Sequence, residues 1–179
     1  MVEKEISIPI MVGYLEARIL DNFEDEGRFV SPVERLKNID KAIHVIVNSE
    51  SKHIRKHIRE LGEIGKRTIT NAHYLDLVLN MDKVIAVHNT MTETAKKALG
   101  RWLSEMAYGM KKFVGREIKT FAELDEYCYY VGGTVGGMLT DLIVNRSNEA
   151  VPEQIRVLRR EQRGFGLFLQ KVNIIRDFP

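Results

Sequence analysis

Cysteine occurs once in the 179-residue sequence, at Cys128. One thiol closes no internal disulfide and builds no thiolate metal cage, so packing alone must hold the fold. Proline occurs four times, at positions 9, 32, 152 and 179, leaving long stretches in which nothing interrupts a helix. Uninterrupted apolar runs are short. Ile6 to Leu15 falls well below the ~20 residues that span a bilayer, and it lacks the ordered regions of a secretory signal. A formal net charge of +2 gives no whole-molecule field for nucleic acid. No glycine-rich loop ends in Lys-Ser or Lys-Thr, which excludes a P-loop. What is present is 44% apolar and 29% charged, enough for one domain with a buried core and a solvated surface.

Capping signals divide the chain. Ser31-Pro32-Val33-Glu34 and Thr120-Phe121-Ala122-Glu123 both read as capping boxes, and Pro152-Glu153 as a third helix start. Ala95, Leu99, Trp102, Leu103, Met106 and Met110 recur every three or four residues, as a core-facing helix requires. The pattern predicts helices over about 7–25, 32–47, 50–64, 70–79, 82–88, 91–113, 121–143 and 153–177. No strand alternation emerges, although Ile43 to Val47 is β-prone. The expected irregular connection is Asn145 to Val151.

Three segments carry chemistry. On a helix, Asp21, Glu24 and Asp25 stand at i, i+3 and i+4 on one face, a destabilising arrangement of like charges unless cations fill the gap. Magnesium accepts carboxylate and phosphate oxygens together, and Arg18, one turn earlier, suits phosphate or a carboxylate. A solvated acidic helix end is the plain alternative. Gln170, Asn173 and Asp177 form a polar stripe among Leu167, Leu169, Ile174 and Ile175. On a buried helix such amides need partners, either a structural network or a bound diphosphate. Between these lies Tyr127-Cys128-Tyr129-Tyr130-Val131-Gly132-Gly133-Thr134-Val135-Gly136-Gly137. Each glycine inside a helix costs about 1 kcal/mol relative to alanine, which points to close packing or to room for a ligand.

Together the three segments resemble the squalene and phytoene synthases, the head-to-head prenyl transferases of the all-α isoprenoid (terpenoid) synthase fold. Arg18 to Asp25 is similar to that family's DxxED motif and Tyr127 to Gly136 to its YCxYVAGxVG, with Gly132 where alanine is usual. Leu167 to Asp177 is similar to LFLQKxNIIRD, wording nearer to squalene synthases than to phytoene synthases. The resemblance runs from about Ile8 to the last residue. It implies an all-α helical bundle that joins two farnesyl diphosphates to presqualene diphosphate and then, with NADPH, squalene. Carried over by motif, Asp21, Glu24, Asp25 and Asp177 would hold Mg2+, and Tyr127 would handle a proton. Tyr14, Arg18, Gln170, Asn173 and Arg176 would contact substrate, with Val131, Val135 and Leu139 walling its prenyl chain. The implied setting is cytoplasmic, with peripheral membrane contact for product release and no nucleic-acid partner.

The family's second acidic motif continues past its first aspartate, whereas this sequence reads Asp177-Phe178-Pro179. Residues 1–179 are therefore expected to be a single partial domain, an incomplete bundle lacking an N-terminal helix and the C-terminal helices. That leaves a second function open: a non-catalytic isoprenoid-diphosphate-binding fragment, or half of a complementing pair. Phytoene or dehydrosqualene synthesis is a further alternative. The basic run Lys52 to Arg59 reads as a solvated helix face, since Glu60 and Glu63 follow it and aromatics are missing. His53 and His57 have zinc-pair spacing, but Ile54 stands where such a motif needs glutamate.

Overall fold

The hydroxyls of Ser31, Thr92 and Thr120 each accept the backbone N–H three residues on, and Asn71 accepts two, from His73 and Tyr74. Each satisfies donors that a helix start otherwise leaves orphaned. At Thr120 the Glu123 side chain reaches back to complete the box; at Ser31 the serine half forms, at 3.3 Å. These caps punctuate a computed structural model that describes residues 4–25, 30–146 and 151–177. Among them the chain runs α1 (Lys4–Asp25), α2 (Pro32–Val47), α3 (Ile54–Thr68), α4 (Ala72–Leu79), α5 (Met81–His88), α6 (Glu93–Phe113) and α7 (Phe121–Cys128). A π-helical turn (Tyr129–Gly133), α8 (Thr134–Arg146) and α9 (Pro152–Asp177) complete it. The described residues form no strand, as the all-α expectation requires; the β-prone Ile43 to Val47 lies inside α2.

Several boundaries differ from the expected ones: α1 starts at Lys4, α3 runs on to Thr68 and α8 to Arg146, and two differences have a visible cause. The third helix begins at Ile54 and not near position 50, because Asn48, Ser51 and Ile54 are taken up in successive turns: Ser51 N–H bonds to Asn48 O and Ile54 N–H to Ser51 O. The helix expected over 121–143 is broken in three. Thr134 N–H reaches back to Tyr129 O, an i→i+5 bond, where the ladder widens. The Thr134 hydroxyl also bonds to Tyr130 O at 2.6 Å, the back-bonding by which threonine bends helices. Positions 147–150 of the expected connection lie outside the described residues.

α6 is the central strut. Leu99, Trp102, Leu103, Met106 and Met110 are all buried, each burial contributing ~1.5–3 kcal/mol, and α1, α2 and α8 pack on it. Asp141 of α8 accepts the Trp102 indole N–H at 2.7 Å and Arg159 Nη1–H of α9 at 3.1 Å, tying three helices through one carboxylate. The glycines explain the approach of α9. A Cβ on Gly132 would overlap the Gly166 carbonyl, and one on Gly136 the Gln162 carbonyl, while one on Gly137 would enter the Trp102 ring. Backbone-to-backbone contact of this kind is available only to glycine.

The burial expected of α9 is not found. Gly166 is its one buried residue among those described, and Phe168 and Ile175 are 64% and 75% exposed. Leu169 is exposed as well, and Leu167 and Ile174 are only partly covered. The helix meets the body along one narrow line of small residues, so its apolar side chains project elsewhere.

Candidate active site

α1 places Tyr14, Arg18, Asp21 and Asp25 along one row, with Ala17 and Glu24 beside it. Three- and four-residue steps bring each onto the same side of the helix. That side faces the π-turn, α8 and α9 across a cavity of ≈ 780 Å³. Tyr127 and Val131 enter from α7 and the π-turn, Val135 and Leu139 from α8, and Gln170, Asn173 and Arg176 from α9. Twelve of the thirteen residues singled out in the sequence thus border one space; Asp177 ends α9 immediately after Arg176, and its side chain lies outside the described residues. Tyr14 stands at the rim, 63% exposed.

Arg18 Nη1 lies 3.4 Å from Asp21 Oδ2, while Asp21 Oδ1 is buried without a hydrogen-bond partner. Burial, and then repulsion from Asp25, pushes the Asp21 carboxyl up to about 7 against the pull of Arg18. Burial, then Asp25 and Asp21, pushes Glu24 up to about 8, with Arg35 drawing it down. Burial dominates both shifts, so these carboxyls favour their protonated forms near neutral pH. Among the described residues no group of three or more acidic, imidazole or thiol side chains is arranged to hold a metal ion, so Asp21, Glu24 and Asp25 do not by themselves form a metal cage. Tyr127 packs edge-on to Phe113, ring centroids 5.4 Å apart. Burial chiefly, and then the charges of Glu24, Asp25 and Asp21, raises its hydroxyl pKa and keeps the proton in place.

The cavity has walls the sequence did not announce. Tyr74 of α4 stacks its ring on the Arg18 guanidinium, 4.3 Å from centroid to Cζ, and its carbonyl accepts Asn22 Nδ2–H at 3.4 Å. The pair is 52 residues apart, and no local spacing connects them. Phe165 and Leu169 also line the space; they sit two turns and one turn before Asn173 on one helical row, a signal that was available. With Val131, Val135, Leu139 and Met106 they make the far part of the cavity apolar. The arrangement is charged and hydrogen-bonding at one end and dry at the other. That suits a molecule with an anionic head and a hydrocarbon body.

Comparison with known proteins agrees in sequence and in fold. The family model described as squalene/phytoene synthase matches residues 1–179. Squalene synthase 1 of Arabidopsis thaliana is 29% identical over 174 residues, covering 97% of this chain and 38% of that protein. Presqualene diphosphate synthase of Botryococcus braunii is 29% identical over 175 residues, covering 98% of this chain and 39% of its own length. A solved complex of TcSQS with the ligand BPH1237 superposes with a TM-score of 0.80 at 27% identity, over 99% of this chain and 47% of that one. The chain therefore spans less than half the length of these relatives.

Proposed function

The chain belongs to the squalene/phytoene synthase family, and from that premise we propose that it forms the allylic-diphosphate end of a head-to-head prenyl transferase acting on farnesyl diphosphate. The product proposed is presqualene diphosphate and, in the complete reaction, squalene. One observation carries the reading: a buried, unpartnered carboxylate oxygen, Asp21 Oδ1, beside Arg18 in a cavity lined by both charged and apolar side chains. Mg2+ fits these residues, because that ion keeps several waters and is held by one or two carboxylates plus substrate phosphates, not by a full protein cage. Asp21 and Glu24 would hold it, with Asp25 at the exposed edge; when bound, it supplies the charge that stabilises a departing diphosphate.

The chain's own residues do the rest. Arg18, fixed by Tyr74 and Asp21, is placed to donate to diphosphate oxygens, and Arg176, Gln170 and Asn173 approach from α9. Val131, Val135 and Leu139 give an apolar wall to the space where an allylic carbocation would form, which needs shielding from water, whereas Phe165 on the α9 side is half exposed. Tyr127, protonated and close to the carboxylates, is a hydroxyl donor at that boundary.

A second reading is that this 179-residue stretch binds the isoprenoid diphosphate without turning it over. The exposed apolar face of α9 favours it, because a water-excluding site needs that side covered. Purified chain incubated with farnesyl diphosphate and Mg2+ separates the two. Release of diphosphate with presqualene diphosphate supports turnover; saturable Mg2+-dependent binding of farnesyl thiodiphosphate without release supports binding alone; absence of both refutes the site.

A further inference from the structure

The described part of α1 runs to Asp25, and a carbonyl of its last described turn is bonded from outside the helix. Arg35, in the first turns of α2, donates from Nη2 to the Glu24 carbonyl oxygen. The Arg35 backbone is itself set by α2, whose N–H bonds to Ser31 O at 3.0 Å, and α2 is anchored in the core by Ile39, Ala42, Val45 and Ile46. The guanidinium Nε–H is buried and has no partner. Arg35 does not line the cavity. Glu24, itself almost wholly buried, stands between the two.

We propose that Arg35 is a positioning residue for the acidic cluster: it clamps the last turn of α1 to α2 and so presents Glu24 to the divalent cation and diphosphate in a fixed orientation. This rests on the reading of that cluster as a cation–diphosphate site. A guanidinium is suited to the task because it bonds the carbonyl with one nitrogen and keeps a second donor beside the same residue. An ammonium offers one centre only. Arg18 and Arg35 then divide the work: Arg18 faces the cavity and Asp21, whereas Arg35 acts on Glu24 from behind. Positive charge there also opposes the unfavourable crowding of acids at a helix C-terminus, where the dipole is negative.

The test measures Mn2+ binding in the presence of inorganic diphosphate, by electron paramagnetic resonance, on the 179-residue chain and on Arg35→Lys, Arg35→Gln and Arg35→Ala. Thermal unfolding is recorded in parallel. Lys111→Ala, which removes the Lys111–Asp40 ion pair between α6 and α2, is the control for a loss of α2 anchorage alone. Affinity is expected to fall about 10-fold or more in the Gln and Ala variants, the range seen when groups supporting metal ligands are removed. Lysine should restore it in part. If the Arg35 variants bind as the wild type does, or lose no more than Lys111→Ala at a matched drop in Tm, the positioning role is wrong and the site reading survives. If the wild type itself binds no Mn2+ with diphosphate, both fail.

Discussion

Asp21→Asn should stabilise the ligand-free chain above neutral pH and at the same time abolish its stabilisation by magnesium and diphosphate. Asp21 titrates at about 7 in the folded chain against 3.8 ordinarily, a difference corresponding to about 4 kcal/mol. The sign follows from which state holds the proton. Between the two values the unfolded chain has lost it and the folded chain has kept it, so folding is favoured at low pH and weakened as pH rises. The contribution is complete below pH ~4 and gone above pH ~7. Glu24, at about 8, acts in the same direction; repulsion from Asp25 enters both shifts and Asp21 contributes to that of Glu24, so the two do not add. Relaxation and entry of water reduce the cost of a real buried charge, and Arg18 loses an ion pair worth under ~1 kcal/mol. A net gain of ~1–2 kcal/mol at pH 8 remains for asparagine, about 3–6 °C in Tm for a domain of this size. Differential scanning fluorimetry from pH 5 to 9, with and without Mg2+ and diphosphate, reads it directly. Wild-type Tm should fall with pH and recover with ligand by ~2–3 kcal/mol at about 100 times Kd. A flat wild-type profile, or an Asn variant that is less stable at pH 8 or still gains from ligand, would refute the reasoning.

Tyr127→Phe should reduce turnover, wherever turnover is measured, by about 10²–10⁴-fold with little change in Tm. Because burial and nearby acids raise the phenol's pKa, the rate profile should show no limb from its ionisation up to pH 9. Tyr74→Leu keeps the apolar wall but removes the ring under Arg18, so diphosphate should bind roughly 3- to 10-fold more weakly, as loss of about 1 kcal/mol of cation–π contact predicts; calorimetric titration with Mg2+ and diphosphate checks it. Gly136→Ala places a methyl on the Gln162 carbonyl and should cost ~1–3 kcal/mol in urea unfolding, whereas Gly100→Ala, with open space around it, should stabilise α6 by up to about 1 kcal/mol.

Much of this site is legible because it is helical. Asp21, Glu24 and Asp25 can be put on one face from spacing alone, and Tyr14 and Arg18 extend the row. Thr120 with Glu123 marks a helix start as clearly in sequence as in space. Failures cluster where local pattern meets tertiary contact. The four glycines at 132, 133, 136 and 137 left packing and ligand space as equal alternatives; only the position of α9 shows that Gly132 and Gly136 are there for its backbone while also bordering the cavity. The π-turn is invisible to a 3.6-residue period, since one widened turn shifts the register without changing composition. Tyr74 and Arg35 reach the acidic cluster from distant segments and carry no motif. The burial of α9 was misjudged for a different reason: apolar residues at helical spacing report that a face wants covering, not that these residues cover it.

The same glycine contacts account for how a charged site and an apolar one can share a single cavity. Gly132 and Gly166 bring the π-turn and α9 together so closely that no side chain fits between them. α9 is therefore pinned at its middle, and the residues on either side of that contact are committed. Its amides and Arg176 face the carboxylates of α1 across the opening. Neither side alone is well placed for an anion: α1 has one arginine against three acids, and α9 offers amides and arginine with no metal-binding carboxylate among its described cavity-lining side chains. On the proposed reading, a cation on the α1 side and a diphosphate between the two helices would make the charges complementary. The glycine contact, one turn from Gln170, binds nothing itself, yet it sets the gap between α9 and the rest of the cavity wall. Moving α9 outward by even a methyl's width should therefore weaken diphosphate binding through distance, without altering any group that touches it.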